Sequence, residues 1–568
     1  MNFPLNKTIK NIVPIILALI IILTPNIFLA FYGSDFSSTG VIKRLTFILL
    51  SFILLIAPLI LIRPKIFLFI SLIFVLAAPF EIVNIYLYRI NMNSGIMYAV
   101  ITTNTSEAFE LVKGLLPFVL FTILYISLYL YLVIKGIPLS LTITKRNKII
   151  IGFGFLVIIL GMWIRDMRIS HSIYTKFTAS ELLNDGTSNF ISKFSKIFPY
   201  STIIQANQTY STILEVKRCN AIIKDFRFNA YTKDTMKINE KYILIIGETS
   251  RSRNYELYGY SRKTNPELSK ISNLAVLSDF TSTSNLTSLS IPLMLTRATP
   301  DNFHQSYTEK SLISAFKECG YHTYWISNQG IFSTELLRFT VDIDKVFNLN
   351  SNADFKGNYD ENVFPFLDSV LRKNDQKQLI VINLMGSHFR YNFRYPERFN
   401  KFKPGLDGAF DYMAINKTNK EFLVNIYDNS ILYNDFVVSE IIKKIDNTST
   451  SSFLLYASDH GEELFDTPEN NFGHGSEHVN KYNIKIPCIV WYSTKFKENN
   501  PIKIKSLESN KYKPMSSNNI FYSILDAGNI EYTGNNLKKS FVSSSFKPDS
   551  IRKALTPGMK VISFTDLN

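Results

Sequence analysis

The chain has 568 residues, too many for one ordinary domain, so at least two structural units are expected. Its three cysteines, Cys219, Cys319 and Cys488, are too few and too scattered for a disulfide framework or a cysteine zinc site. The formal charge of +15 suits nucleic acid or an anionic membrane surface. No arginine-rich arm or nucleic-acid motif is present and the first part of the chain is apolar, so the expected partner is membrane lipid and not nucleic acid.

Nearly all long charge-free stretches lie before residue 165. Five apolar windows stand out: Ile12–Tyr32, Leu45–Ile62, Ile66–Leu87, Leu115–Ile134 and Ile149–Trp163. A helix crossing a bilayer core needs about 20 apolar residues, which the first four supply and the fifth approaches. The first window lacks a small-x-small cleavage site and is followed by further spans, which argues against a removed signal peptide. Residues 1–165 are therefore expected to form a transmembrane domain of five helices. If the spans alternate, Lys7, Lys10, Arg63, Lys65, Lys135, Lys145, Arg146 and Lys148 share one side, and Lys43, Arg44, Arg89 and Lys113 share the other. The excess of basic residues places the N-terminus in the cytoplasm. An odd number of spans then puts everything after Trp163 outside, in the periplasm. Glu81, Asn84, Glu107 and Glu110 lie in or near the third span and the loop after it. An acid inside a span is a functional hypothesis by default, but near a span end an interfacial carboxylate explains Glu81 equally well.

Residues 166–240 are polar with amphipathic pieces such as Phe190–Phe198, and read as a connector along the membrane surface. From Lys241 onward the pattern changes. "YILIIGE", "HTYWISN", "LIVINLMGSH", "SFLLYASDHGE" and "IPCIVWYS" are apolar runs of strand length without polar alternation, as in a sheet buried on both faces. Helical patterns over Glu309–Cys319, Pro365–Lys373 and Asn425–Ile445 lie between them. The alternation predicts an α/β domain over 241–568, with a largely parallel sheet sandwiched by helices.

Such sheets place function at the carboxyl ends of their strands. Three of the runs end in Gly247-Glu248-Thr249, in Gly386-Ser387-His388 and in Asp459-His460-Gly461-Glu462, and four of the seven histidines lie between 388 and 478. Carboxylate oxygen and imidazole nitrogen suit zinc, and a catalytic zinc keeps one position open. Glu248, Asp459 and His460 offer three ligands from two strands, with a nucleophile as the fourth. Asp459 and His460 alone could be a loop pair holding each other by a hydrogen bond; Glu248, His388 and His474 alongside favour a site. The nucleophile is sought in "TSTSNLTSLSIPLMLT" (Thr281–Thr296), rich in hydroxyls and leading into a helix-like segment. Unpaired N–H groups and the positive dipole end at a helix start favour an attacking alkoxide and phosphoryl oxygens. Composition does not choose among Thr283, Ser284, Thr287, Ser288 and Ser290, although a simple N-cap would explain only one or two of them.

Five ordered segments make the pattern specific: "IIGETSRSRNYELYGYSRKTNP" (Ile245–Pro266), "NLTSLSIP" (Asn285–Pro292), "NLMGSHFRYNFRYP" (Asn383–Pro396), "NIYDNSILYND" (Asn425–Asp435) and "SDHGEE…FGHG" (Ser458–Gly475). Together they resemble the membrane-anchored phosphoethanolamine transferases of the alkaline phosphatase/sulfatase superfamily. The resemblance implies zinc ligation by Glu248, Thr287, Asp459 and His460, with Thr287 as the nucleophile, five residues before Pro292. It implies that His388 and His474 bind the substrate phosphate, assist the leaving group or hold a second zinc, and that Asn328 and Gln329 of "WISNQGIFS" (Trp325–Ser333) touch substrate. The implied donor is phosphatidylethanolamine, and the implied acceptor is lipopolysaccharide, at core heptose or lipid A, or another envelope glycan. The enzyme is expected to be a monomer in the bacterial inner membrane.

Three departures bear on the acceptor. Cysteines that bracket the nucleophile in the lipid A enzymes are Thr283 and Leu293 here, a usual histidine is Asn383, and "WISNQGIFS" lacks a lysine those enzymes carry. "SNQG" is closer to the branch that modifies core heptose or glycans. The rival activities are phosphoglycerol transfer with the same layout and a catalytically inactive membrane scaffold. Sulfate ester hydrolysis would want an Arg two residues after Pro292, where Met294 stands.

Overall fold

The computed structural model describes residues 5–32, 41–61, 64–88, 91–92, 97, 116–135, 144–173, 187, 190–191, 193–194, 196–233, 239–329, 334–351, 357–373, 375–405, 417–468, 471–475 and 478–567. Glu107, Glu110, Arg63, Arg89, Lys113, part of the Phe190–Phe198 piece and the end of "WISNQGIFS" lie outside them, as do the side chains of Lys7, Lys10, Lys65, Lys135, Lys145 and Cys219. The chain forms two compact units, Met1–Ser211 and Thr212–Asn568.

In the first unit the described parts of the five apolar windows are helical, apart from the turn at Ser71: α1 (Leu5–Tyr32), α2 (Val41–Leu61), α3 (Pro64–Ile70) with α4 (Leu72–Tyr88), α5 (Leu116–Lys135) and α6 (Lys145–Ile173). The third window is thus two helices meeting at Ser71. Val13–Tyr32 and Arg146–Arg168 are long and apolar enough to cross a membrane, while Leu72–Tyr86 and Phe118–Ile134 are shorter apolar helices. Ile15, Leu19 and Ile22 of α1 pack with Val75, Ala78 and Ile82 of α4 and with Tyr125 and Tyr129 of α5. Ile42, Phe69, Leu124, Ile134 and Ile149 instead point outward, largely exposed. Glu81 is buried and accepts a hydrogen bond from the Met92 amide at 3.0 Å. Helix α7 (Tyr200–Ile223) carries the chain across the boundary between the units.

The second unit is built on a seven-stranded sheet. Its strands are β1 (Glu240–Gly247), β2 (Leu274–Val276), β3 (His322–Gln329), β4 (Lys345–Ser351), β5 (Lys377–Asn383), β6 (Ser451–Ser458) and β7 (Cys488–Tyr492), in the spatial order β2-β7-β6-β1-β5-β3-β4. The pairs among β1, β3, β4, β5 and β6 are parallel, whereas β7 runs antiparallel to both β6 and β2. The sheet is therefore mixed, with one reversed strand in an otherwise parallel set. All five strands expected from apolar runs are present. The two short or half-polar edge strands, β2 and β4, carry no such run.

Alternation along β1 sends side chains to both faces, and both faces are covered. Tyr242, Leu244 and Ile246 join a core with Ile291 and Met294 of α8 (Thr287–Leu295) and Leu312 and Phe316 of α9 (Leu312–Glu318). Ile243 and Ile245 join the opposite core with Leu367 and Val370 of α10 (Phe364–Leu371) and Val437, Val438 and Ile441 of α11 (Lys420–Asp446). Each such fully buried aliphatic side chain contributes about 1.5–3 kcal/mol, which holds the central strands rigid from both sides. Helix α9 begins three residues later than expected, because Ser311 is extended and serves as its N-cap. Helix α11 begins five residues earlier than Asn425.

Strand β1 lies between β5 and β6, with Ile246 level with Asn383 and Gly247 level with Ser458. Three adjacent strands therefore end together, and their ends are stitched by main-chain bonds: the Leu384 amide donates to the Ile246 carbonyl, Ser387 N to Glu248 O, and Asp459 N to Gly247 O. Gly386 has φ +50°, and a Cβ there would lie 2.7 Å from Glu248 O and 2.8 Å from Glu248 N. Only glycine permits this approach. We expect Gly386→Ala to destabilise the second unit by roughly 2–5 kcal/mol through left-handed strain and overpacking, visible as a lower thermal midpoint of the solubilised chain.

Candidate active site

Glu248 follows β1, His388 lies on the turn after β5, and Asp459 and His460 follow β6. Thr287 is the first residue of α8, where first-turn N–H groups have no intrahelical acceptor. Its Oγ1 lies 3.1 Å from His460 Nε2 and 3.4 Å from Glu248 Oε2. Three of the other four candidate hydroxyls are engaged elsewhere: Thr283 with Ser517 Oγ, Ser284 with the Leu555 carbonyl, and Ser290 with the Thr287 carbonyl. Among these hydroxyls Thr287 alone contacts both Glu248 and His460.

The histidine tautomers follow from their partners. His460 Nδ1 faces the Gly461 carbonyl at 2.9 Å and His388 Nδ1 faces the Phe389 carbonyl at 2.5 Å. A carbonyl only accepts, so both Nδ1 atoms carry a proton, and Nε2 is the nitrogen of each ring that can take a metal or a second proton. His460 Nε2 lies 3.3 Å from Glu248 Oε1 and 3.3 Å from Asp459 Oδ2. His474 differs: its Nδ1 faces the buried Glu462 carboxylate at 3.1 Å, and its ring lies 4.1 Å from that of His460 and 6.5 Å from that of His388. Glu248, His460 and His474 each offer a ligand atom within 4.8 Å of the others, so His474 lies in one cluster with two of the expected ligands.

The buried carboxylates and His460 perturb one another strongly. Burial pushes the Asp459 carboxyl up to about 7, with Glu248 acting in the same direction. Burial also opposes charge on Glu248, but the hydrogen bond and charge of His460 hold that carboxyl below the usual range. Burial disfavours charge on His460 too, yet Asp459 and Glu248 raise its imidazole to about 10. Asp459 Oδ1 accepts from the amides of Thr249 and His460, whereas Oδ2 is buried without a hydrogen-bond partner. A buried carboxylate oxygen that accepts no hydrogen bond, beside the Nε2 of His460, fits a divalent cation taking the place of the Nε2 proton, and an oxygen-and-nitrogen donor set suits zinc.

Several supporting residues were not among those expected. Thr249, at φ +58°, donates its hydroxyl to Glu248 Oε1 at 2.6 Å and its amide to Asp459 Oδ1 at 3.1 Å. A hydroxyl directly after the strand-end acid was the available signal. Buried Arg251 pairs with Asp466 and donates to the Glu462 carbonyl, fixing the segment that leads toward His474. The two residues expected at substrate part company. Asn328 is fully buried and donates to Asp360, which in turn accepts from the Met385 and Gly386 amides, so it lies behind the His388 turn. Gln329 lies in the cluster, donating to Glu248 Oε2 at 2.8 Å.

Phosphoethanolamine transferase EptC of Escherichia coli (strain K12) is 28% identical over 477 residues, covering 81% of this chain and 79% of that protein. Phosphoethanolamine transferase CptA of Salmonella typhimurium is 30% identical over 315 residues, 54% of this chain and 53% of that protein. The C-terminal periplasmic domain of the Escherichia coli EptC, also solved in complex with Zn, matches with a TM-score of 0.54 at 30% identity, covering 60% of this chain and 96% of that domain. The integral membrane protein lipooligosaccharide phosphoethanolamine transferase A of Neisseria meningitidis has the same fold over 93% of this chain and 97% of its own, with a TM-score of 0.51 at 20% identity. These likenesses agree with the resemblance carried by the five sequence segments. A family model described as sulfatase spans residues 240–530, from the start of β1 past every strand of the sheet, and the chain therefore belongs to the sulfatase family.

Proposed function

We propose that the chain is a zinc-dependent phosphoethanolamine transferase that moves phosphoethanolamine from phosphatidylethanolamine to lipopolysaccharide, at core heptose or lipid A, or to another envelope glycan. The observation that carries this reading is the Thr287 hydroxyl 3.1 Å from His460 Nε2, beside the orphaned Asp459 oxygen and Glu248. The names of the EptC and CptA relatives and the zinc complex of the EptC domain support it. Residues 1–165 are a five-helix anchor in the bacterial inner membrane, 166–240 a connector at its surface, and 241–568 a periplasmic catalytic domain; the enzyme is a monomer. Outward apolar residues on α2, α3, α5 and α6 support lipid around the anchor. Tethering suits two lipid substrates, since it confines the search to the membrane surface.

Glu248, Thr287, Asp459 and His460 would hold the zinc. When bound, it lowers the pKa of the threonine hydroxyl and neutralises charge on the phosphoryl oxygens. Thr287 Oγ1 attacks phosphorus, forming a threonine O–P bond while the P–O bond to diacylglycerol breaks. The threonine proton passes through the His388 and His474 pair to the departing diacylglycerol oxygen. Glu462 holds His474 at Nδ1, so Nε2 is the nitrogen that exchanges the proton. The first-turn amides of α8 favour the charge on the transferring group. In the second step an acceptor hydroxyl or phosphate oxygen attacks the phospho-threonine, the same imidazoles take any proton it loses, and Thr287 is regenerated.

Thr287→Ala should lower transfer by about 10³-fold or more while zinc remains bound through Glu248, Asp459 and His460. Mass spectrometry of lipid A, core and glycans from cells carrying either form, with metal analysis of the purified protein, measures both. Added phosphoglycerol in place of phosphoethanolamine would reject the donor. Unchanged envelope glycans and a metal-free wild-type protein would reject enzymatic transfer and favour the scaffold. Asp459→Ala removes the orphaned oxygen and should weaken zinc by at least about 10²-fold, measured by competition with a chelator.

A further inference from the structure

Gln329 ends β3, one strand beyond β5, and its side chain reaches back to the central strand. Both hydrogens of its amide are used: Nε2 donates to Glu248 Oε2 at 2.8 Å and to the Leu384 carbonyl at 3.0 Å. Its Oε1 accepts from Asn383 Nδ2 at 3.4 Å, and the same Nδ2 lies 3.3 Å from Ser327 Oγ. Reversing the Gln329 amide would set its oxygen against a carboxylate and a carbonyl, so the network fixes its orientation. Asn383 is fully buried and Gln329 is 9% exposed, which keeps water from replacing these bonds.

Glu248 is therefore gripped from two sides, by Thr249 Oγ1 on Oε1 and by Gln329 Nε2 on Oε2. Both donors are neutral. They hold the plane of the carboxylate and leave its charge intact, with its oxygens toward Thr287 and His460. A lysine in place of the glutamine would add a cation that competes with the metal for that charge. Gln329 and Asn383 are also positions at which the chain departs from lipid A enzymes or joins "SNQG". In this protein they form one connected unit.

We propose that Gln329, oriented by Asn383, is a positioning residue for Glu248 as a metal ligand and is not a substrate contact. The proposal rests on the zinc reading above. Partners that orient a ligating side chain are typically worth 10–100-fold in metal affinity. Wild type, Gln329→Met, Gln329→Glu and Asn383→Ala are compared as full-length protein in detergent. Zinc affinity is read by chelator competition, and KM for phosphatidylethanolamine and kcat are read at saturating zinc.

Gln329→Met keeps the length and removes both donors; it should weaken zinc about 10–100-fold, with KM unchanged and kcat largely recovered by added zinc. Gln329→Glu, which sets a second anion against Glu248, should disturb the site more. Asn383→Ala leaves Gln329 in place and should weaken zinc less, in the same direction. It reports even where a Gln329 variant fails to fold, and circular dichroism checks folding in each case. Wild-type zinc affinity in Gln329→Met together with a raised KM overturns the proposal and assigns Gln329 to substrate. A wild-type protein that neither binds zinc nor needs it would instead overturn the zinc reading itself.

Discussion

The catalytic unit is organised around a concentration of buried negative charge. Glu248 is 2% exposed and Asp459 fully buried, and both carboxylates lie 3.3 Å from the same imidazole nitrogen. Taking each carboxylate out of water costs several kcal/mol even after relaxation. Like charges about 4 Å apart add repulsion on the order of 4 kcal/mol near a protein surface. Main-chain amides from Thr249 and His460 satisfy one Asp459 oxygen, and Thr249 and Gln329 satisfy Glu248 in part. The other Asp459 oxygen accepts no hydrogen bond and has only the His460 ring nitrogen 3.3 Å away. A cation at that point would remove the repulsion and complete the contacts of that oxygen together, so under the proposed zinc reading metal binding and the stability of these strand ends are one equilibrium.

The sheet decides that these groups can meet. β5, β1 and β6 are neighbours, run parallel and end at the same level, so residues 248, 388 and 459 converge although they are far apart in the chain. Burial on both faces gives those ends little freedom, which suits a site that must hold a nucleophile within about 0.5 Å of its productive position. Thr287, the proposed nucleophile, arrives differently, on the first turn of a helix whose apolar residues Ile291 and Met294 pack under the same sheet.

Long apolar runs made the central strands legible, because only a strand covered on both faces is apolar throughout. That signal fails at the edges. β2 has three residues, and β4, "KVFNLNS", is more than half polar and so carries no continuous apolar run. The acids and imidazoles at strand ends were legible for the same reason as the strands: polar residues that interrupt such runs stand out. Supporting residues were not. Gln329 and Glu248 are 81 positions apart and Thr249 and Asp459 are 210 apart, contacts that depend on strand order and leave no local pattern. Asn328 and Gln329 are adjacent, so the sequence offered no reason to separate them. Successive residues at a strand end point to opposite sides, which sends one amide to Asp360 and the other to Glu248.

The nucleophile loop also shows how a cross-link can be replaced. Thr283 and Leu293 stand where related lipid A enzymes carry cysteines, and Cys319 and Cys488 are free thiols. Thr283 is held instead by its amide and hydroxyl on Ser517, and its carbonyl accepts from the Leu555 amide. Ser284 donates to the Leu555 carbonyl, and Leu293 packs in a small cluster with Leu289, Phe303 and Leu555. Each hydrogen bond contributes about 0.5–1.5 kcal/mol, and the buried leucines add about 2 kcal/mol each. A disulfide across so short a loop contributes about 3 kcal/mol, mainly by limiting the unfolded chain. The two solutions are comparable in size and different in kind. A disulfide stiffens the loop by itself, whereas here the stiffness comes from residues 517 and 555, more than 200 positions later. The geometry of Thr287 therefore depends on the C-terminal part of the domain being folded and docked, and a change near Leu555 reaches Thr287 through the Thr283–Ser284 main chain.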